Sequence, residues 1–135
     1  MILMVCIDDK DGMMFANRRQ SQDRLLRREL LSLSENARLF LTPYSARQFS
    51  ETSCFTVTEN PECQAKKGDF YFVEDGALPF EQAEQIILFH WNRTYPADRC
   101  FPRAEALKNF HLVSTREFAG FSHKIITEEI WKKNP

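Results

Sequence analysis

Met1 to Ile7 run without a polar side chain, and Asp8-Asp9-Lys10-Asp11-Gly12 follow at once. A continuous apolar run closed by a turn signal predicts a strand buried on both faces, of the kind found in the middle of a parallel sheet. A strand of that kind needs a layer of structure on each side. With 135 residues, 43% of them hydrophobic and 27% charged, the chain has material for one such core, and a single domain over 1–135 is expected.

The remaining pieces suit that arrangement. Ser21 reads as an N-cap, and Leu26, Leu30 and Leu33 then recur at helical spacing, so 22–34 is expected to be an amphipathic helix. Leu39 to Leu41 is a short apolar strand, and Pro43 suits the first turn of a helix running through Phe49. Residues 50–68 show weak periodicity. Phe70 to Val73 is a buried strand, Pro79 to Gln85 a short helix and Ile86 to Trp91 a further apolar strand, and Phe110 to Glu117 is a strand. Strands alternating with helices imply an α/β fold on a mostly parallel sheet with flanking helices. Lys124 to Trp131 is ambiguous, because Ile125, Thr127 and Trp131 alternate while Ile126 and Ile130 lie four apart.

Composition excludes several function classes. Eighteen Lys and Arg against nineteen Asp and Glu leave a net charge of −1, which lacks the footprint of a general nucleic-acid or membrane-surface binder. Four glycines argue against function built on glycine-rich phosphate loops, where the backbone must approach the ligand closely. Cys6, Cys54, Cys63 and Cys100 form no CxxC pair and read as reduced structural thiols. His90, His111 and His123 have no metal-ligand spacing, so no metal is expected. Neither a signal segment nor an apolar stretch of bilayer length is present, and a cytoplasmic location with no membrane partner is the expectation.

Two constellations carry the chemistry. Asn17, Arg18, Arg19, Gln20, Ser21, Gln22 and Asp23 are consecutive polar residues, and adjacent arginines suit a bidentate clamp on a phosphate or carboxylate. A solvated basic loop is the competing reading. Trp91, Asn92, Arg93 and Tyr95 offer ring faces beside an amide and a guanidinium, suited to a heterocycle, and equally to packing at a strand end. His123 is the best acid–base candidate, against a structural role. No GxSxG elbow is present, and a Ser-His-Asp triad is recognised by geometry rather than by spacing.

In order and over nearly its whole length, the chain resembles the dihydrofolate reductase family. The opening strand running into Gly12-Met13 looks like the family's first strand and covering loop, and Asp23 falls where the family places its buried carboxylate for the pterin ring. Ile86 to Trp91, followed by Ala97-Asp98-Arg99-Cys100-Phe101-Pro102, resembles the family's long strand with its Gly-Asp-Thr-x-Phe-Pro ending. Phe118 through Ser122-His123 to Ile130 looks like its closing hairpin, which implies a C-terminal antiparallel hairpin and a strand for the ambiguous segment.

The departures concern the cofactor. The family's paired-glycine phosphate turn reads Val73-Glu74-Asp75-Gly76-Ala77 here. Two anions at about 4 Å repel by roughly 1 kcal/mol in water and by more when partly buried. Thr42-Pro43-Tyr44-Ser45 replaces the family's Arg-Thr/Ser phosphate grip, and too few residues separate Leu41 from Phe70 for its adenosine-binding subdomain. On the substrate side, the family's aromatic and proline become Arg18 to Ser21, and the polar partner on the long strand becomes Phe89. Asp23 itself has a second reading, as a carboxylate stabilised by a helix N-terminus.

The expectation is therefore a diverged dihydrofolate reductase-like domain with no working nicotinamide site and no cofactor. It would bind a small anionic or heterocyclic ligand, or a protein, around Arg18, Arg19, Asp23 and Arg93. The alternative is an enzyme of another class using the 17–23 loop, either a reductase with an altered cofactor mode or a hydrolase of nucleotides or RNA. A homodimer is the third reading.

Overall fold

The computed structural model describes residues 1–50 and 54–135. Strand β1 (Ile2–Ile7) runs down the middle of a seven-stranded sheet. Its side chains alternate: Leu3, Val5 and Ile7 enter one hydrophobic cluster, while Ile2 and Met4 enter a second. Both faces of β1 are thus core, which accounts for a run with no polar interruption.

A turn at Asp8 to Asp11 leads into β2 (Gly12–Phe15) and β3 (Arg18–Arg19), joined by Ala16 and Asn17 at φ 51° and 62°. Two central residues at positive φ are the mark of a two-residue hairpin turn, and Asn tolerates that region. This hairpin takes up residues 17–19 of the loop expected at 17–23. Helix α1 (Arg24–Leu33) buries Leu26 and Leu30 against the second cluster. Its N-cap is Asp23 rather than Ser21: the Asp23 carboxylate accepts from the Leu25 and Leu26 amides, and the Ser21 hydroxyl is engaged elsewhere.

Next come β4 (Leu39–Leu41), α2 (Pro43–Ala46), β5 (Thr56–Val57), α3 (Pro61–Gln64) and β6 (Phe70–Val73). Helix α2 is capped by Thr42 and stops short of the expected Phe49. Residues 51–53 of the weakly periodic stretch lie outside the described residues. The helix expected at Pro79–Gln85 is a 3-10 turn at Phe80–Gln82, and Gln85 already belongs to β7 (Gln85–His90). Strand β8 (Arg99–Cys100) and α4 (Arg103–Ala106) precede the closing pair β9 (Phe110–Phe118) and β10 (Ile126–Lys133).

The large sheet has the order β5-β4-β6-β1-β7-β10-β9. Strand β1 is parallel to β6 and β7, and β4 is parallel to β5 and β6, whereas β10 is antiparallel to both β7 and β9. The ambiguous tail segment is therefore a strand, with a bulge between Ile130 and Trp131 where its periodicity breaks. A small antiparallel sheet, β3-β2-β8, covers the first cluster through Met13 and Met14. No helix among the described residues is long and apolar enough to cross a membrane. The four cysteines are reduced thiols; Cys6 is partly covered, and Cys54, Cys63 and Cys100 are exposed, which does not suit a packing role for these three.

Candidate functional site

The C-terminal ends of β1, β6 and β7 meet the β2–β3 hairpin and the segment after β7. Asp8, at the end of β1, is 1% exposed, and its two oxygens tie this region together. One accepts from the Lys10 and Gly12 amides at 2.8 and 2.7 Å, the other from Gln20 Nε2 at 3.1 Å and the Tyr95 amide at 3.0 Å. Burial alone would raise the Asp8 pKa, but these bonds outweigh it and hold the carboxyl below its usual range.

On one side of the hairpin, Arg19 turns inward. Its Nε and Nη2 reach the two oxygens of Glu74 at 3.0 and 3.2 Å, its guanidinium lies 4.3 Å from the Tyr44 ring centroid, and Nη2 also donates to the Tyr44 carbonyl at 3.2 Å. Ser45 Oγ and Gln48 Nε2 each donate to Glu74 at 2.9 Å. In the same turn, Thr42 donates to Asp75 at 2.7 Å and the Arg99 fork holds the Glu74 and Gly76 carbonyls at 2.6 and 2.7 Å. A Cβ at Gly76 would run into the buried Tyr71 hydroxyl, so glycine is required there by close packing rather than by φ. Beside Arg19, a cavity of about 10 Å³ between Cys6, Met13, Ser21, Glu74 and Trp91 is water-sized.

On the other side, Asp23 is 2% exposed and is claimed by the chain itself. Besides capping α1, it accepts the amides of Phe121, Ser122 and His123 at 3.0, 2.8 and 3.1 Å, the Ser122 hydroxyl at 3.1 Å and His123 Nδ1 at 3.0 Å. Burial pushes its pKa up, but the Phe121 amide, the His123 ring and the Ser122 and Leu26 amides together draw it well below the usual carboxylate range. Gly120 permits this approach, since a Cβ there would meet the His123 carbonyl and Asp23 Oδ2. The His123 ring stacks on Trp91 with centroids 4.4 Å apart, and its Nε2 lies 3.0 Å from both Ser21 Oγ and Tyr95 Oη.

Arg18 points the other way. It is exposed and has no partner among the described residues, and it lines an open groove of about 460 Å³ with Phe15, Ala16, Arg19, Gln20, Tyr95 and Pro96. Phe15 is 48% exposed in that groove.

The whole chain superposes on a solved structure described as dihydrofolate reductase from Enterococcus faecalis complexed with NADP(H) and RAB-propyl, with a TM-score of 0.69 at 10% sequence identity, over 99% of this chain and 96% of that one. The fold is that of dihydrofolate reductase. No protein-family model and no curated protein matches the sequence. The expected α/β class, a mostly parallel central sheet with flanking helices and a C-terminal antiparallel hairpin, is the architecture observed.

Within this dihydrofolate reductase-like frame, Gln20, Asp23, Trp91, Tyr95 and His123 converge on one cluster, with Arg18 on the adjoining groove. Arg19 leaves it for Glu74. Asn17, at the hairpin turn, lines a separate depression with Asp75, Asp98 and Arg99. Asn92 donates to the Ile125 carbonyl and Thr127 Oγ1 at 3.1 and 2.9 Å, fastening the start of β10, and Arg93 accepts the Asp9 amide through its carbonyl. Sequence reasoning placed Ser21 in the polar 17–23 run but gave it no role of its own beyond a helix cap, and missed Asp8 as the tie between loops. The Ser21-x-Asp23 spacing was the available signal, and it needs His123 to mean anything. Among the described residues, no group of three His, Cys, Asp or Glu could hold a metal ion.

Proposed function

We propose that this dihydrofolate reductase-like domain does not use a nicotinamide cofactor and instead binds a small, flat anionic ligand in the groove of Phe15, Arg18 and Tyr95. The observation that carries this reading is the division between two adjacent arginines. Arg19, at the groove's wall, is paired through Nε and Nη2 with Glu74, at the turn where the family resemblance puts a pyrophosphate, whereas Arg18 stands unpartnered in the open groove.

Glu74 does not fit a pyrophosphate. Its carboxylate already takes the guanidinium, hydroxyl and amide donors an anion would need, and a phosphate would meet two carboxylates, those of Glu74 and Asp75. The water-sized cavity below offers no room for a nicotinamide ring. In the groove, an exposed guanidinium between two aromatic residues suits a ring bearing a carboxylate or phosphate, because the charge pairs with Arg18 while the ring covers Phe15 and Tyr95.

Amide chemical shifts of the full chain, titrated separately with phenyl phosphate and NADPH, test both halves. Phenyl phosphate is expected to move Phe15 to Gln20 and Tyr95, while NADPH leaves Val73 to Ala77 in place and transfers no hydride to dihydrofolate. Saturating NADPH shifts at Val73 to Ala77, or a groove that answers to neither compound, would overturn the reading.

A further inference from the structure

We propose that Ser21, His123 and Asp23 form a nucleophile–base–orienter triad that hydrolyses small carboxylic esters whose anionic end pairs with Arg18. The choice of an anionic ester rests on the groove proposed above, and the triad itself rests on geometry alone.

Asp23 Oδ2, His123 Nδ1, His123 Nε2 and Ser21 Oγ form a chain with 3.0 Å at each of its two links. Asp23 is ionised and can only accept, so Nδ1 carries the proton and Nε2 presents its lone pair. That lone pair faces two hydroxyls, Ser21 and Tyr95, each 3.0 Å away. A histidine serving only to fasten the hairpin needs one partner at Nε2. Two hydroxyls competing for one acceptor leave a proton to spare, which is what an ester carbonyl entering beside Tyr95 requires. Trp91 fixes the ring plane by stacking and offers its π face to the imidazolium that forms. Gln20 lines both the groove and the water-sized cavity beside Ser21, and the Tyr95 ring lines the groove while its hydroxyl reaches His123 Nε2, so the ring of a ligand held by Arg18 stays in the groove and only its ester carbonyl enters the small space beside Ser21.

The reaction proceeds in two halves. Ser21 Oγ attacks the ester carbonyl carbon as its proton moves to His123 Nε2, and the Tyr95 hydroxyl, released from Nε2, donates to the oxygen that gains charge. The carbon–oxygen bond to the alcohol then breaks, and Nε2–H protonates the departing alkoxide. Water adds to the acyl-Ser21 ester with Nε2 taking its proton, the Ser21 ester bond breaks, and Nε2 returns the proton to Ser21 Oγ. The products are one acid and one alcohol, with the side chains restored.

The test uses the folded full chain with a fluorophosphonate probe, phenyl acetate and 4-acetoxybenzoate. The probe is expected to attach to Ser21 with loss of fluoride, located by peptide mass spectrometry, and unfolded protein is expected to remain unlabelled. Ser21→Ala should reduce hydrolysis of both esters to the uncatalysed rate. Tyr95→Phe should lower kcat at least tenfold with KM little changed, an effect that a merely structural hydroxyl would not produce. Arg18→Ala should lower kcat/KM at least tenfold for 4-acetoxybenzoate alone. Absence of labelling at Ser21, or unchanged turnover in Ser21→Ala, overturns the triad and leaves ligand binding in the groove intact. Labelling of Ser21 together with an Arg18→Ala variant that treats both esters as wild type does overturns the groove assignment instead.

Discussion

Arg19 and Glu74, 55 residues apart in sequence, meet through a two-pronged contact in which Nε and Nη2 each hold one carboxylate oxygen at 3.0 and 3.2 Å. Both groups are largely covered, with side-chain exposures of 20% and 9%. Removing one partner leaves the other charged and poorly solvated, which costs more than the pair contributes when intact. Arg19→Met should destabilise the chain by about 3 kcal/mol, and the double variant Arg19→Met/Glu74→Leu by clearly less than the summed losses of Arg19→Met and Glu74→Leu. Urea unfolding of the four species closes the cycle, and additive losses would count against a coupled pair.

Asp23 gives a pH dependence with a definite sign. Its folded pKa is depressed, so the stability it supplies is fully present above the unfolded value of about 4 and drains away as pH falls from there toward the folded value. Asp23→Asn should be less stable at pH 7 by about 2 to 4 kcal/mol, having lost charged acceptance of amides from both α1 and the hairpin. The deficit should shrink below pH 4. Thermal melts from pH 7 to pH 2.5 on both proteins would show converging Tm values.

Glu128 runs the other way. It lies on β10, 5% exposed, sharing Arg116 with Glu29, and burial first and the Glu29 carboxylate second push its pKa up to about 7, against the pull of Arg116. A raised folded pKa contributes stability that is present below the unfolded value of about 4.3 and is lost as pH rises through about 7. Glu128→Gln should therefore gain on wild type between pH 5 and pH 8. A denaturation series across that range with parallel curves would refute the assignment.

Gly76→Ala should cost about 1 to 3 kcal/mol, because the new methyl must displace the buried Tyr71 hydroxyl from the Ala77 carbonyl it holds at 3.2 Å. Gly76→Ala in a Tyr71→Phe background should recover part of that loss, since the colliding oxygen is gone. Equal losses in the two backgrounds would place the strain elsewhere.

The strands were legible because their signal is local. Leu39–Leu41 and Phe70–Val73 match residue for residue, each being an apolar run bounded by polar residues and buried on both faces. The short elements β3, β5, β8 and α4 were not legible, since two to four residues carry too little periodicity. The same limit hid the site's logic. Two neighbouring arginines look alike in sequence, and what separates Arg18 from Arg19 is a hairpin whose alternation sends one side chain to Glu74 and the other to solvent. Ser21 was misread for a related reason: its partner lies 102 residues further on, while the nearer helix start offered a local explanation.

The position of β10 sets the order in which the molecule can be assembled. This strand is preceded by 125 residues, yet it lies inside the sheet, between β7 and β9. During synthesis β1, β6 and β7 can pair as they emerge, but β9 has no neighbour to receive it, and one edge of β7 stays bare until β10 arrives. Asp23 waits as well, a carboxylate at the head of a finished helix whose remaining donors come from the hairpin loop just before β10. Completion of the sheet and assembly of the Asp23–His123 cluster are then a single late event.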